Sequence, residues 1–209
     1  MPRIRKVVIT AFGDESKLAV VDADLPAPCA HEVQIAVECT VVAGADVNMR
    51  RGTYPMQRRP PLTPGYSIIG RVLVNGANSH RFQPGDSVAC LTIYEGQSTL
   101  VNLPEKYLIP VPEGIDLKPA VALILDWVTA YQMLHRTAKV KPGQRIFVHG
   151  LSGGVGAALL ALGLIAGAEV FGTASPAKHE ALRKLGATPF YYANTDWIAA
   201  MHQLGRAIA

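Results

Sequence analysis

The sequence is poor in the residues that build covalent or metal-held scaffolds. It carries 3 cysteines in 209 residues, Cys29, Cys39 and Cys90, with no C-x-x-C pair. Neither a disulfide framework nor a zinc knuckle is indicated, and a reducing, cytoplasmic compartment fits that usage. Charge is sparse at 17% and aromatics at 7%, whereas 49% of the residues are hydrophobic, which excludes a disordered chain. Apolar runs are short. The longest, Val155–Ala168, falls below the roughly 18 residues that suggest a bilayer span and reads as a buried helix. The start, MPRIRKVVITAFGDE, turns polar too early for a signal peptide. No basic stripe exists either. The net charge of +4 is scattered, and Arg50–Arg51 and Arg58–Arg59 are short pairs, so nucleic acid is not an expected partner.

What is present is a change of pattern. Residues 1–118 read as short strands between Pro- and Gly-rich turns. Glu32–Cys39 alternates with Val33, Ile35, Val37 and Cys39 on one face. Arg5–Thr10, Ser67–Val74, Asp86–Thr92, Ser98–Leu103 and Tyr107–Val111 are further strand candidates, and together they predict a small β-barrel or sandwich. Residues 119–209 switch to a longer period. Pro119–Thr137 has helical spacing, with Asp116 as a candidate cap. Then follow strand Arg145–His149, a glycine turn, the apolar helix and strand Glu169–Thr173. A helix opened by Ser175-Pro176 and closed by Gly186, strand Phe190–Tyr192, and a helix of about Thr195–Leu204 ended by Gly205 complete the pattern. The alternation predicts a parallel sheet and an α/β second domain.

The turn His149–Gly156 reads HGLSGGVG and joins a strand to a helix, the context that a dinucleotide site requires. Gly153 and Gly154 let backbone approach a pyrophosphate, and the helix N-terminus points its amides at that charge. Gly156 is expected to allow close helix–strand packing. The strict G-x-G-x-x-G frame is broken by Leu151. A site preferring NAD places a carboxylate about 20 residues on. Here Gly172–Lys178 offers Thr173, Ser175 and Lys178 and no carboxylate, which favours NADPH; the alternative is that Ser175 merely caps and Lys178 is an ordinary first-turn residue.

Taken together, VVITAFG, ADVNMRRGTYP, LTPGYSIIGRV, RFQPGDSVA, WVTAYQML, VKPGQRIFVHGLSGGVG and VFGTASPAKHEALRKLGA resemble the medium-chain dehydrogenase/reductase superfamily. The likeness is to its zinc-independent quinone oxidoreductase branch, VAT-1-type proteins included. The resemblance implies a GroES-like β-barrel domain joined to a Rossmann domain, with the active site in the cleft between them. It implies no metal: zinc-dependent relatives carry Cys near the position of Ala43 and His-Glu where this chain has Tyr66-Ser67. It places Thr129 near the nicotinamide, Ser152, Gly153, Gly154 and Val155 along the pyrophosphate, and Ser175, Lys178 and Tyr192 at the adenosine phosphate. Asp46 and Tyr54 match positions near the cleft as candidate catalytic residues; a capping Asp46 and a packed Tyr54 are the alternatives. Ala43 stands where the branch has an Asn.

These residues lead to an expected NADPH-dependent hydride transfer to a small molecule, a quinone or an α,β-unsaturated carbonyl, without zinc. The alternatives are a non-catalytic NADPH-binding or interaction protein, and an inactive truncated fragment of such a reductase. The second domain supplies only three strands of the doubly wound order 3-2-1-4-5-6, so an incomplete Rossmann domain is expected. Strand Arg145–His149 would then leave an edge for self-association or a partner to cover.

Overall fold

A computed structural model describes residues 2–203. The chain packs as two compact units, Met1–Leu125 and Asp126–Ala209.

In the first unit, β1 (Arg3–Ile9) and β2 (Leu18–Asp24) form an antiparallel ribbon. Strands β3 (Glu32–Thr40), β4 (Ser67–Asn75), β5 (Ser87–Leu91), β6 (Leu100–Pro104) and β7 (Ile109–Pro110) form an antiparallel sheet in the order β6-β3-β4-β5-β7. The expected barrel needs correcting. Outside the strand ladders, the ribbon is tied in by single bridges, Lys6 to Ser98 and Ile9 to Leu62. No continuous ladder among the described residues closes the strands into a barrel. The core beneath the sheet holds Val33, Ile35, Ile68, Val72, Val88 and Val101.

Val33, Ile35 and Val37 of β3 share a face as expected, but Gln34 on the other face is buried as well, and the register against β4 already shifts between Gln34 and Ile35. A bulge between Val37 and Cys39 shifts the register against β4. Cys39 therefore packs with Ile69, Ala89 and Val121 instead of with the Val33–Ile35 face. Two elements escaped the sequence pattern. In β2 half-exposed and exposed residues alternate, so no buried apolar face marks it. Helix α1 (Gly44–Arg51) buries Asp46, Met49 and Arg50, a face with one apolar residue and thus no hydrophobic period.

Helix α2 (Leu117–Tyr131) starts where the pattern changes, capped by Asp116, whose Oδ1 accepts from Lys118 N at 3.1 Å. The division into units falls inside this helix. Leu117, Ala120, Val121 and Ile124 pack in the first unit, and Trp127 and Ala130 in the second. A wider π-type turn continues it over Gln132–Thr137.

The second unit runs β8 (Arg145–Val148), α3 (Gly154–Ile165), β9 (Glu169–Ala174), α4 (Pro176–Lys184), β10 (Thr188–Tyr191) and α5 (Asp196–Gln203). The three strands are parallel in the order β10-β9-β8, with β8 at an edge, as the alternation predicts. Leu204 and Gly205, expected at the end of α5, lie outside the described residues. One sheet face packs on α3 through Ile146, Val148, Leu159, Leu160 and Val170. On the opposite face of the sheet, Phe147 stacks on Trp197 at 4.7 Å, and the ring of His149 stands edge-on to both. His149 is thus a packing residue. Among the described residues no helix is long and apolar enough to cross a membrane.

Ile35 is fully buried in the first unit's core. Ile35→Ala is expected to cost about 2–5 kcal/mol, read as a lowered urea midpoint.

Candidate functional site

The glycine turn is built from the inside out. Gly150 has φ +73, the left-handed conformation that starts the turn. Leu151, which breaks the glycine frame, is fully buried in the core, and its amide donates to Thr173 O at 2.8 Å. The missing glycine is therefore a core residue. Gly150 N donates to the Thr173 hydroxyl at 3.1 Å. Thr173 is 3% exposed and ties the end of β9 to the turn. It is thus turned away from the phosphate role suggested by its place in the sequence.

Ser152, Gly153 and Gly154 are exposed and Val155 is half-buried. Gly153 occupies the N-cap of α3 and has no side chain to cap it. The amides of the first turn thus receive no oxygen from a capping side chain, and the positive end of the helix is open to an anion. Gly156 does not pack on a strand as expected. A Cβ there would strike the Gly150 carbonyl, so this glycine lets helix and turn approach. Close packing of helix on sheet falls to Gly163, where a Cβ would lie 2.7 Å from Ile146 Cδ1 and 3.0 Å from Val170 Cγ2. A Cβ at Gly154 would strike Asp126 Oδ2. A carboxylate therefore adjoins the turn, an arrangement no motif in the sequence marks.

The turn, with its left-handed Gly150, exposed Ser152–Gly154 and uncapped amides, fits a pyrophosphate; Asp126 opposes it electrostatically. Ser175 sits at the N-cap of α4 with Pro176 at N1, as the sequence predicts, yet its side chain makes no cap hydrogen bond. Lys178 is exposed one turn on. Tyr191 pairs with Ala174, so Tyr192 follows β10 as Ser175 follows β9, and it is exposed. Thr129 is half-buried on α2.

In the first unit the other two candidates sit near one another. Asp46, 4% exposed, lies in the first turn of α1. Its Oδ2 accepts from Ala43 N at 2.7 Å and its Oδ1 from Gly65 N at 2.9 Å. Burial raises its carboxyl above the ordinary 3.8, and the two amides pull it back down. With both oxygens engaged, Asp46 clamps α1 to the turn before β4. Gly65 has φ +121, and a Cβ there would strike Gln97 N and lie 2.6 Å from Gly96 Cα.

The clamp leads directly to Tyr66. Its Oη lies 2.6 Å from Tyr54 Oη, with the rings edge-on at 71°. Tyr54, Tyr66 and Tyr94 surround Ile9, Met49 and Leu62. Gln57 holds the loop, accepting from Tyr54 N at 3.1 Å and donating to Met49 O at 3.1 Å. The Arg58 guanidinium lies 4.5 Å over the Tyr94 ring. Burial, followed by the Tyr54 hydroxyl, pushes the Tyr66 phenol up to about 12. Sequence reasoning found Tyr54 and missed its partner. The only signal was that Tyr66 occupies the slot of a zinc ligand in other members of the superfamily.

Residues 29–113 match the alcohol dehydrogenase GroES-like domain. Over 201 residues the chain is 34% identical to the synaptic vesicle membrane protein VAT-1 homolog of Rattus norvegicus, covering 94% of this chain and 50% of that protein. It is 32% identical over 173 residues to the quinone oxidoreductase of Rattus norvegicus, covering 82% and 53%. The crystal structure of CurK enoyl reductase superposes with a TM-score of 0.90 at 27% identity, covering 96% of this chain and 63% of that one. A GroES-like unit followed by a parallel α/β unit with a glycine turn defines the class, the medium-chain dehydrogenase/reductase superfamily. Within it, this chain is similar to members of the quinone oxidoreductase branch. The chain spans about half the length of the curated relatives it matches.

Because the folded Asp46 carboxyl titrates above 3.8, its contribution to stability is full below that pH and is lost as pH rises through the folded value. Asp46→Asn is expected to cost about 1–3 kcal/mol, since one amide then faces an amide. It also removes that slope, so the wild type's advantage shrinks as pH rises past 3.8, measured as urea midpoints across that range.

Proposed function

We propose that this protein is an NADPH-dependent, zinc-independent oxidoreductase that reduces a quinone or an α,β-unsaturated carbonyl. The observation that carries this reading is the open glycine turn together with Lys178 in the first turn of α4, the stretch Gly172–Lys178 that leaves β9 bearing no carboxylate. The names of its relatives, a quinone oxidoreductase and an enoyl reductase, support the substrate class. The three free thiols fit a reducing, cytoplasmic setting.

When bound, NADPH supplies a hydride. The residues of the chain provide holding and proton supply. Ser152, Gly153, Gly154 and Val155 hold the pyrophosphate through backbone amides and the α3 dipole. Ser175, Lys178 and Tyr192 hold the 2′-phosphate end, and Thr129 lies along the nicotinamide. Reduction of a carbon–carbon double bond beside a carbonyl leaves an enolate that needs a proton, and Tyr54 gives it. Asp46, with both oxygens occupied, positions α1 and its following loop.

A second reading is a protein that binds NADPH without turning it over. Ala43, which brings no amide to the N-terminus of α1, favours it, as does the carboxylate of Asp126 beside the turn.

NADPH oxidation with panels of quinones and enones separates the readings: turnover supports the first, and binding without turnover the second. Lys178→Ala is expected to raise the Kd for NADPH about tenfold, roughly 1.4 kcal/mol, and to leave NADH unchanged, by fluorescence titration. Asp126→Asn, which removes a negative charge from the turn, is expected to tighten NADPH binding about three- to tenfold.

A further inference from the structure

The first unit carries a groove that the hydride transfer does not use. Around Arg5–Val7, β1 is paired on both sides. It pairs with β2 on one side; on the other, Val7 N donates to Gln97 O at 2.9 Å and Thr99 N donates to Arg5 O at 2.9 Å. The strand therefore offers no free backbone edge to an added strand. What it offers is a face. Val7 and Val20 are directly opposed in the β1–β2 register, so their side chains stand on one side of the ribbon. Arg5, two residues before Val7, stands on that side as well. A cavity of about 510 Å³ lies against these residues, and Val42, Gln97 and Thr99 also line it. That volume lies within the roughly 300–1,000 Å³ of small-molecule sites.

The chemistry of the lining is two-sided. Its valines are apolar and open to a ligand, with Val20 69% exposed and Val42 76%. Its polar groups donate. Among the described residues, the Arg5 guanidinium and the Gln97 side-chain amide have no hydrogen-bond or ion-pair partner. The Thr99 hydroxyl accepts from Arg5 N at 3.1 Å, which leaves its own hydrogen to give. The hydroxyls of Thr40 and Ser98, by contrast, are spent on the carbonyls of Ser67 and Leu100. Lys6 borders the groove with its ammonium held 3.6 Å from Glu95. Asp22 faces Arg5 across the ribbon but pairs with Arg3 at 3.7 Å, and no carboxylate lines the groove. We propose that this groove binds an amphiphilic monoanion, a linear alkyl carboxylate. Its head meets Arg5, Gln97 and Thr99, and its tail lies on Val7, Val20 and Val42. A second copy of the chain suits the face less well, because a two-fold interface there brings the unpaired Arg5 of both copies together. The site lies wholly in the first unit and does not depend on the oxidoreductase reading.

The test is a 1H–15N NMR titration of the full chain with hexanoate, octanoate and decanoate, and with octylammonium as the charge-reversed control. Octanoate is expected to bind with a Kd on the order of 1 mM or below, shifting the amides of β1, β2 and residues 97–99. Each added CH2 is expected to tighten binding by up to about fourfold. Octylammonium is expected to bind at least about tenfold more weakly, since its head meets Arg5. Arg5→Gln is expected to weaken octanoate about three- to fivefold and to remove its dependence on salt. Val20→Ser and Val42→Ser are each expected to weaken it about two- to fourfold. Val42 lies outside the strands, so Val42→Ser and Arg5→Gln carry the test should Val20→Ser fail to fold. The proposal is overturned by no binding up to about 20 mM, by shifts elsewhere in the chain, by octylammonium binding as well as octanoate, or by variants that bind like the wild type. It is also overturned if sedimentation equilibrium shows a dimer that Val42→Ser or Arg5→Gln disperses, because a second copy then covers the face.

Discussion

The first unit's site depends on one buried carboxylate. Asp46 accepts the amide of Ala43 at the start of α1 and the amide of Gly65 before β4, which lies 19 residues beyond Asp46 in sequence. Burying an unpaired carboxylate is expensive; two charge-assisted bonds offset most of that cost. Once the clamp is made, the Gly65 backbone lies so close to Gly96 and Gln97 that no side chain fits. Tyr66 then projects from the end of that turn, and the Gln57-braced loop after α1 brings Tyr54 to meet it. Helix α1 has Met49 as its single buried apolar residue and is otherwise held by polar contacts, among them Arg50 with Glu15.

The second unit makes a different compromise. Its glycine turn serves packing and ligand geometry with separate residues. Gly150 takes the left-handed conformation, Leu151 anchors the turn in the core, and Thr173 locks it to β9. Ser152, Gly153 and Gly154 face outward. At Gly154 the neighbouring Asp126 carboxylate alone already leaves no room for a Cβ. A glycine in such a turn can thus answer to neighbouring protein atoms as well as to a phosphate, and the sequence does not distinguish the two.

How much was legible follows from where the signals are local. The parallel order β10-β9-β8 and helices α3 and α4 came from apolar periods, turns and a Ser-Pro cap, all written within a few residues. The bulge that turns Cys39 toward Ile69, Ala89 and Val121 was not legible, because register is settled by the partner strand β4. Helix α1 was illegible for another reason: its buried face is mostly polar, so burial there follows hydrogen bonds and an ion pair, Arg50 with Glu15 at 2.7 Å. Barrel closure was over-read, since counting strands says nothing about whether the β1–β2 ribbon joins the sheet by a ladder or by single bridges.

By itself the sequence determined the change from a β unit to an α/β unit, the glycine turn after β8, and the cation-without-carboxylate pattern after β9. Each is a local matter of residue type and spacing. The tertiary structure alone decided that Thr173 faces the turn, that Asp126 stands beside Gly154, and that Tyr66 meets Tyr54. Those relations join residues 12 to 28 positions apart. Contacts at such separations are fixed by the packing of whole elements, for which no short run of sequence carries a signal.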